Sequence, residues 1–207
     1  MAQIDTGLRG LLANPFLYEL TQTMLGIRRA RTILARDYLR LNGGETMLDI
    51  GCGPGHILNH LPDVRYVGLD MSDAYIAEAR RKFGDRGSFH VADAADFAHD
   101  SIDKFDVATA IGLLHHLDDD EVRGFLECAR GHLPREGGRM ITMDPCFVTG
   151  QSPIAHFLVS NDRGQNVRDA EGYKALALSA FPRVEQHIRH DMLYPPYTYI
   201  IMELRTE

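Results

Sequence analysis

The chain has 207 residues, 44% of them hydrophobic and 25% charged, with a formal net charge of −7. That length and balance describe one globular domain able to bury a substantial core, and the acidic excess excludes a broad basic surface for nucleic acid or an anionic membrane. Three separated cysteines, Cys52, Cys128 and Cys146, form no C-x-x-C pair, which speaks against a disulfide framework or a zinc module and for a reducing cytoplasm.

The opening Met1-Ala2-Gln3-Ile4-Asp5 lacks the basic stretch and apolar core of a signal peptide. The apolar run from Val107 to Leu114 is too short to cross a bilayer. Asn14 and Pro15 read as a helix start. Leu17, Leu20, Met24, Ile27, Ala30, Leu34, Tyr38 and Leu41 then give one apolar stripe at helical spacing. Gly26 divides that segment, and Asn42-Gly43-Gly44 ends it. A short buried strand is predicted over Thr46–Ile50, followed by a glycine-rich turn and a helix to about Leu61. Further strands follow at Val64–Leu69, Ser88–Val91, Phe105–Ile111 and Arg139–Met143. A helix capped by Ser72 runs to Phe83, and the acidic Asp118-Asp119-Asp120-Glu121 opens another, where the helix dipole favours negative charge. Residues 145–167 read as irregular apart from a short helix near Ile154–Val159. A helix over Asp169–Ala180 and strands near Val184–Ile188 and Tyr197–Leu204 close the chain.

Alternating strands and helices predict an α/β fold with a doubly wound, Rossmann-like parallel sheet covered on both faces. Such sheets bind ligands beyond the carboxyl ends of their strands. Gly51, Asp70, Asp93 and Gly112 each follow a strand and are the positions to inspect. The most informative string is Leu48-Asp49-Ile50-Gly51-Cys52-Gly53-Pro54-Gly55. Its glycines permit backbone conformations and close approach that side chains would block. A phosphate-cradling G-x-x-x-x-G-K-[ST] loop is missing, and the dinucleotide fingerprint fails because His56 stands where Gly or Ala is required. Asp49 would repel a pyrophosphate but suits a cationic amino group, and Asp70 suits a ribose diol. The ligand that fits is S-adenosylmethionine.

At these residues the sequence resembles the class I S-adenosylmethionine-dependent methyltransferases, of the small-molecule type, from about residue 45 onward. LDIGCGPG at 48–55 is the strongest motif, supported by Gly68-Leu69-Asp70-Met71-Ser72, Ala92-Asp93-Ala94, Phe105-Asp106-Val107, Leu114-His115-His116-Leu117 and the closing pair of strands. The resemblance implies a seven-stranded sheet of order 3-2-1-4-5-7-6 with the last strand antiparallel. It implies one domain over 1–207: a helical lid at 1–44, a cofactor-binding core at 45–144, and a substrate-side segment with the closing strands at 145–207. It also implies that Asp49, Gly51, Cys52, Gly53 and Gly55 surround the methionine part of the cofactor, with Asp49 reaching its amino group directly or through water. Asp70 would take the ribose hydroxyls and Met71 would pack on the adenine. Asp93 would accept from the adenine amino group with the Ala94 N–H nearby, and Ile111 and Gly112 would lie beside the sulfonium. S-adenosylhomocysteine is the implied product, with no metal.

Methyl transfer from a sulfonium needs alignment, exclusion of water and, for a hydroxyl or protonated amine, a base. His115 and His116 are the candidate bases because imidazole titrates near neutrality. His116 is preferred by resemblance to small-molecule methyltransferases, some of which pair such a histidine with a tyrosine from the amino-terminal helix, here Tyr18. Equally, the two histidines pack structurally. His56 and His60 stand four apart on a helix but lack an evident third metal ligand. Arg28, Arg29, Arg31, Arg36 and Arg40 read mostly as a wet helix face. Within 145–167, Phe147 and Phe157 are candidates for an apolar wall. Arg163 or Arg168 are candidates to anchor an acidic acceptor, with ordinary loop and capping roles the plainer alternative.

The reading that follows is a cytoplasmic enzyme methylating an O or N atom of a small molecule. It uses no nucleic-acid or membrane partner, and its oligomeric state is open. The alternatives are a protein methyltransferase and a non-catalytic S-adenosylmethionine-binding scaffold or sensor.

Overall fold

A computed structural model describes residues 25–98, 102–162 and 164–207. The expected helix start at Asn14 and Pro15, the stripe positions Leu17, Leu20 and Met24, and the candidates Tyr18 and Arg163 lie outside the described residues.

The first described helix, α1, spans Ile27–Ile33 and continues as a π-helical turn over Leu34–Leu39. Gly26, at a φ of 80°, breaks the helix where its sequence predicted a division. Arg40, the only described non-glycine residue with positive φ, ends it two residues before Asn42. The Arg139 guanidinium donates to the carbonyls of Tyr38 and Leu39, and so seats this end against the sheet.

Strands β1 (Thr46–Ile50), β2 (Arg65–Asp70), β3 (Gly87–Val91), β4 (Val107–Ile111) and β5 (Arg139–Phe147) are followed by the two-residue β6 (Arg168–Asp169), β7 (Arg183–Arg189) and β8 (Tyr199–Arg205). Helices α2 (Asp73–Phe83), α3 (Asp119–Gly131), α4 (Pro153–Ser160) and α5 (Ala170–Ala177) connect them. The sheet order is β3-β2-β1-β4-β5-β8-β7, with β6 paired to β5. Setting that two-residue bridge aside, this is the expected 3-2-1-4-5-7-6 arrangement. β8 runs antiparallel to both β5 and β7, and all other pairs along the path are parallel.

Alternation along the central strands divides the core into two layers. Leu48, Val67, Ala108 and Met140 face α3 and α5, meeting Val122, Leu126 and Tyr173. Met47, Tyr66, Val107 and Ile141 face α1 and α2, meeting Ile33, Leu34, Ile76 and Phe83. Leu48 and Met47 are both fully buried, which stabilises the fold by roughly 1.5–3 kcal/mol for each such side chain. Helix starts follow local chemistry. Ser72 caps α2 by accepting from the Tyr75 N–H at 3.4 Å. Asp118 and Glu121 form a reciprocal capping box on α3, and Asp169 caps α5 through Gly172.

Two elements differ from expectation. The helix after the glycine turn is only a 3₁₀ segment, His56–His60. Pro62 follows closely, and the Arg86 guanidinium takes the carbonyls of Leu58, Leu61 and Pro62 at 2.7–3.2 Å, ending the segment from outside. Strand β5 runs four residues past Met143, through Pro145. A proline normally ends a ladder. Here the Cys146 N–H donates to the Thr198 carbonyl at 3.1 Å, and Tyr173 donates to the Pro145 carbonyl at 3.1 Å, so pairing resumes beyond it.

Arg168 is the junction of this architecture. Its side chain is 11% exposed and pairs with Asp119 at 2.7 Å. It also donates to the carbonyls of Leu114 (3.1 Å), Asn166 (2.9 Å) and Leu117 (2.8 Å). Its donors are thus committed to the turn after β4 rather than offered to an acidic acceptor, a correction to one of the roles considered for it. Truncating it strands three carbonyls, and Arg168→Ala is expected to lose roughly 2–4 kcal/mol of unfolding free energy. Urea denaturation checks this, with Arg168→Lys recovering only part because a single ammonium cannot span the same fork.

Candidate active site

The carboxyl ends of β1 to β4 converge on the glycine turn. Gly51, Gly53 and Gly55 adopt φ of 74°, 53° and 71°, conformations strained for any side chain. A Cβ at Gly53 would meet nothing within 4 Å, so this peptide faces open space, whereas one at Gly55 would press on Phe89 at 3.0 Å. The turn therefore has one face packed inward and one left available for close approach of a ligand. The Gly51 and Cys52 N–H groups are tied back to the Leu69 carbonyl at 2.8 and 2.9 Å.

Asp70 stands at the mouth of this turn. One carboxylate oxygen accepts from the Gly53 N–H and the other from the Ser72 N–H, both at 2.9 Å. Each oxygen keeps a further lone-pair direction, so the group is oriented by the backbone and still able to accept from a diol. Beside it, Met71 is 70% exposed. The Ala92 N–H donates to the Asp70 carbonyl, fastening the end of β3 to the end of β2. Asp93 is exposed and caps a short 3₁₀ turn through the Ala95 N–H at 2.9 Å, while Ala94 is buried. Ile111 and Gly112 end β4. Leu113 lies 3.4 Å from where a Gly51 side chain would begin, and His115 lies 3.8 Å from the same point on Gly112. The structure thus gathers Gly51, Cys52, Gly53, Asp70, Met71, Asp93, Ala94, Ile111 and Gly112 along one sheet edge.

Asp49, expected to reach the cofactor's amino group directly or through water, is itself held from below. It is 2% exposed, lies beneath the turn, and has both oxygens taken by buried hydroxyls. Tyr66 donates to one at 2.6 Å and Thr109 to the other at 2.7 Å. Burial raises its pKa, opposed by these two hydrogen bonds. Burial, with the neighbouring acids Asp49 and Asp70, also pushes the Cys52 thiol far up, leaving it protonated and inert.

The two histidines after β4 are not equivalent. His115 is buried, with Nδ1 2.8 Å from Asp144 and Nε2 3.1 Å from Asp162. Asp162 also accepts from the Tyr197 hydroxyl at 2.6 Å and the Gly164 N–H at 3.1 Å. Burial draws the His115 pKa down, but the two carboxylates outweigh it and push it up to about 9. Asp162 is held well below the ordinary carboxylate range: burial alone would raise it, and the hydrogen bonds from His115 and Tyr197 prevail. Near neutrality His115 is therefore a cation clasped by two anions. His116 is half-buried, and its ring centroid is 4.1 Å from that of His115.

Asp144, Asp162, Tyr66, Thr109 and Tyr197 were absent from the sequence-based candidates. The signal available for Asp144 was its place one residue after the predicted strand Arg139–Met143, as Asp70 directly follows the predicted Val64–Leu69; the strand itself runs on through Asp144. His56 and His60 part company, His56 edge-on to Phe83 and His60 bonded to Thr32 at 3.0 Å. No group of three metal-ligating side chains occurs among the described residues. No helix among them is long and apolar enough to cross a membrane. A cavity of about 530 Å³ between α1 and Pro62, lined by Arg36, Arg40, Asn42 and His60, opens near the amino ends of β1 and β2, away from the glycine turn.

Residues 48–140 match the family model described as a methyltransferase domain. That segment is a class I S-adenosylmethionine-dependent methyltransferase domain. Among curated relatives, the tRNA (carboxymethyluridine(34)-5-O)-methyltransferase of Saccharomyces cerevisiae is 34% identical over 100 residues, 47% of this chain and 34% of that protein. The 27-O-demethylrifamycin SV methyltransferase of Amycolatopsis mediterranei is 26% identical over 170 residues, 76% of this chain and 57% of its own length. The chain thus spans roughly a third to somewhat over half of these two relatives. Of solved structures, the pyocyanin biosynthetic protein PhzM matches with a TM-score of 0.72 at 19% identity, covering 97% of this chain and 62% of its own. That likeness establishes the methyltransferase fold.

The His115 clasp gives this domain a defined pH response. A histidine raised in the folded state contributes stability that is complete below its unfolded value near 6.5 and is lost as pH climbs through about 9. A depressed Asp162 contributes stability that is complete above its unfolded value of 3.8 and is lost as pH falls below it. Thermal melts are expected to show a Tm that declines between pH 6.5 and 9, and Asp162→Asn should flatten that decline. A slope unchanged in the variant would contradict the pairing.

Proposed function

We propose that this chain binds S-adenosylmethionine at the glycine turn and transfers its methyl group to an O or N atom of a small molecule by in-line displacement. The observation that carries the reading is the open-faced Gly53 peptide, with a backbone-oriented Asp70 carboxylate at its edge. This is a pre-built acceptor pair for a ribose diol at the carboxyl end of a parallel sheet. The residues present fit that cofactor: Gly51, Cys52, Gly53 and Gly55 around the methionine part, Asp70 on the ribose, Met71 and Ala94 against the adenine, Asp93 toward its amino group, and Ile111 and Gly112 beside the sulfonium. When bound, it supplies an activated methyl carbon and departs as the thioether S-adenosylhomocysteine.

The chain's own work is alignment, exclusion of water and proton removal. His116 is the base in this reading, since both nitrogens of His115 are engaged by carboxylates and a cationic imidazole accepts no proton. His115 instead joins the turn after β4 to the segment after β5. That segment carries the exposed Ile154 and Phe157 of α4, an apolar surface suited to a small organic acceptor. The rifamycin-modifying relative supports this acceptor class. The tRNA-modifying relative favours a second reading, an RNA acceptor, against which the net charge of −7 weighs. The three free cysteines support placement in a reducing cytoplasm.

Labelled S-adenosylmethionine incubated with panels of phenolic, amine and tRNA acceptors decides between these, and retention of all label on the donor would favour the scaffold alternative. Asp70→Ala is expected to weaken S-adenosylhomocysteine binding by roughly 1–3 kcal/mol in calorimetry. His116→Ala should lower turnover about 10²-fold or more while leaving cofactor affinity within a factor of two. Unaltered turnover would remove His116 from the mechanism.

A further inference from the structure

The cavity of about 530 Å³ between α1 and Pro62 lies at the opposite end of the strands from the glycine turn, and methyl transfer gives it no task. Its polar wall is made by Thr32, Arg36, Arg40, Asn42 and His60, and its apolar wall by Ala35, Leu41 and Pro62. None of these lining residues is acidic. In a chain with a formal net charge of −7, that wall is a local exception. Residues 27–40 hold five arginines and one acid, Asp37, so positive charge is concentrated on the helix that borders the cavity.

We propose that this cavity is a binding site for a phosphate monoester, with Arg36 and Arg40 holding the phosphoryl oxygens and Ala35, Leu41 and Pro62 covering the carbon body. The site is separate from the glycine turn and stands whether or not that turn takes S-adenosylmethionine.

Arginine suits the phosphoryl group because its planar fork matches two oxygens at once. Both guanidiniums have carboxylate partners and keep donors beyond them. Arg36 gives Nε and Nη2 to Asp37, and Arg40 gives Nη2 to the buried Glu203, whereas a guanidinium carries five N–H donors. Glu45 stands at the Asn42 end of the cavity, with its carboxylate spent on the N–H groups of Asn42 and Gly43 at 2.9 and 2.8 Å. Behind the apolar wall, Arg86 takes the carbonyls of Leu58, Leu61 and Pro62, so these acceptors do not oppose an anion. Two neighbours register the positive potential. Burial, then Arg31 and Arg28, draw the His60 pKa down, leaving a neutral ring whose Nδ1 lies 3.0 Å from the Thr32 hydroxyl. Burial, then Arg40, draw the Arg139 guanidinium below its ordinary value. The cations around the cavity thus bear on one another, and a dianion among them relieves that repulsion. Arg40 is also held with a left-handed backbone, φ 47°, its N–H donating to the Ala35 carbonyl at 2.9 Å. Such strain in a residue with a side chain is typical of ligand clamps. The volume falls in the roughly 300–1,000 Å³ range of small-molecule sites, and the apolar wall calls for a ligand larger than phosphate alone.

The test titrates phenyl phosphate and inorganic phosphate against the wild-type protein by calorimetry, with the His60 ring followed by NMR. Phenyl phosphate is expected to bind about fivefold or more tightly than inorganic phosphate, because only it fills the apolar side. It should also raise the His60 pKa, since a nearby anion favours the imidazolium. Thr32, Arg28 and Arg31 bear on that ring and none of them titrates between pH 5 and 8, so the rise is read against a constant background. Arg36→Gln and Arg40→Gln should each weaken binding about tenfold or more. Should Arg40→Gln not fold, because Glu203 is then buried without this partner, Arg36→Gln reads the same loss at an exposed residue. Equal affinity for the two phosphates overturns the monoester assignment. A His60 pKa that stays put, undiminished affinity in Arg36→Gln, or no binding by the wild type overturns the site itself.

Discussion

A carboxylate can be buried beneath a ligand-binding turn only when donors reach both of its oxygens, and the architecture around Asp49 is organised to meet that requirement. β1 lies at the centre of the sheet, so the flanking strands β2 and β4 are the only elements near enough to supply donors sideways. Tyr66 reaches from one and Thr109 from the other. Their registers are fixed by the apolar residues that alternate with them: Leu48, Val67 and Ala108 face the opposite helical layer. A slip of one residue in either strand would turn a hydroxyl into that layer and leave a buried carboxyl oxygen without its donor. The packing of the core and the solvation of Asp49 thus enforce the same register.

A second set of polar contacts transmits this order outward. The turn after β4 carries both histidines; Leu114 anchors it in the core, and polar contacts hold its backbone. Arg168 binds its carbonyls, and His115 ties it to Asp144 below and Asp162 beyond. Gly164 comes so close to the His115 ring that a Cβ there would lie 2.0 Å from it. The segment after β5 is therefore fastened to the end of β4 through charge and close backbone approach.

The parts legible in the sequence are those governed by local or periodic chemistry. β1 lies over Thr46–Ile50, where the sequence predicts a short buried strand, and every one of its side chains is buried. Ser72, Asp118 and Asp169 cap helices where such residues cap helices generally. The order of motifs along the chain led to the sheet topology through family resemblance. The misread parts depend on partners far along the chain. The 3₁₀ segment is ended by Arg86, more than twenty residues later, and β5 passes Pro145 because β8 and α5 restore its hydrogen bonding. The clasp on His115 joins it to one acid 29 residues further along the chain and to a second further still. No spacing rule announces such a pair. Tyr66 falls inside a predicted strand, and only the structure shows its hydroxyl aimed at an acid.

The adjacent histidines show how one dipeptide can divide two tasks. A single imidazole cannot both hold a permanent positive charge between two carboxylates and take a proton from an acceptor near neutrality, since the first role raises its pKa above the range in which the second operates. Neighbouring residues in a short 3₁₀ turn point in different directions, so His115 can sink into the Asp144–Asp162 pair while His116 remains half-buried above it. Their ring centroids lie 4.1 Å apart with the planes tilted by 39°. The charged clasp on His115 thereby holds the short stretch of backbone from which His116 projects.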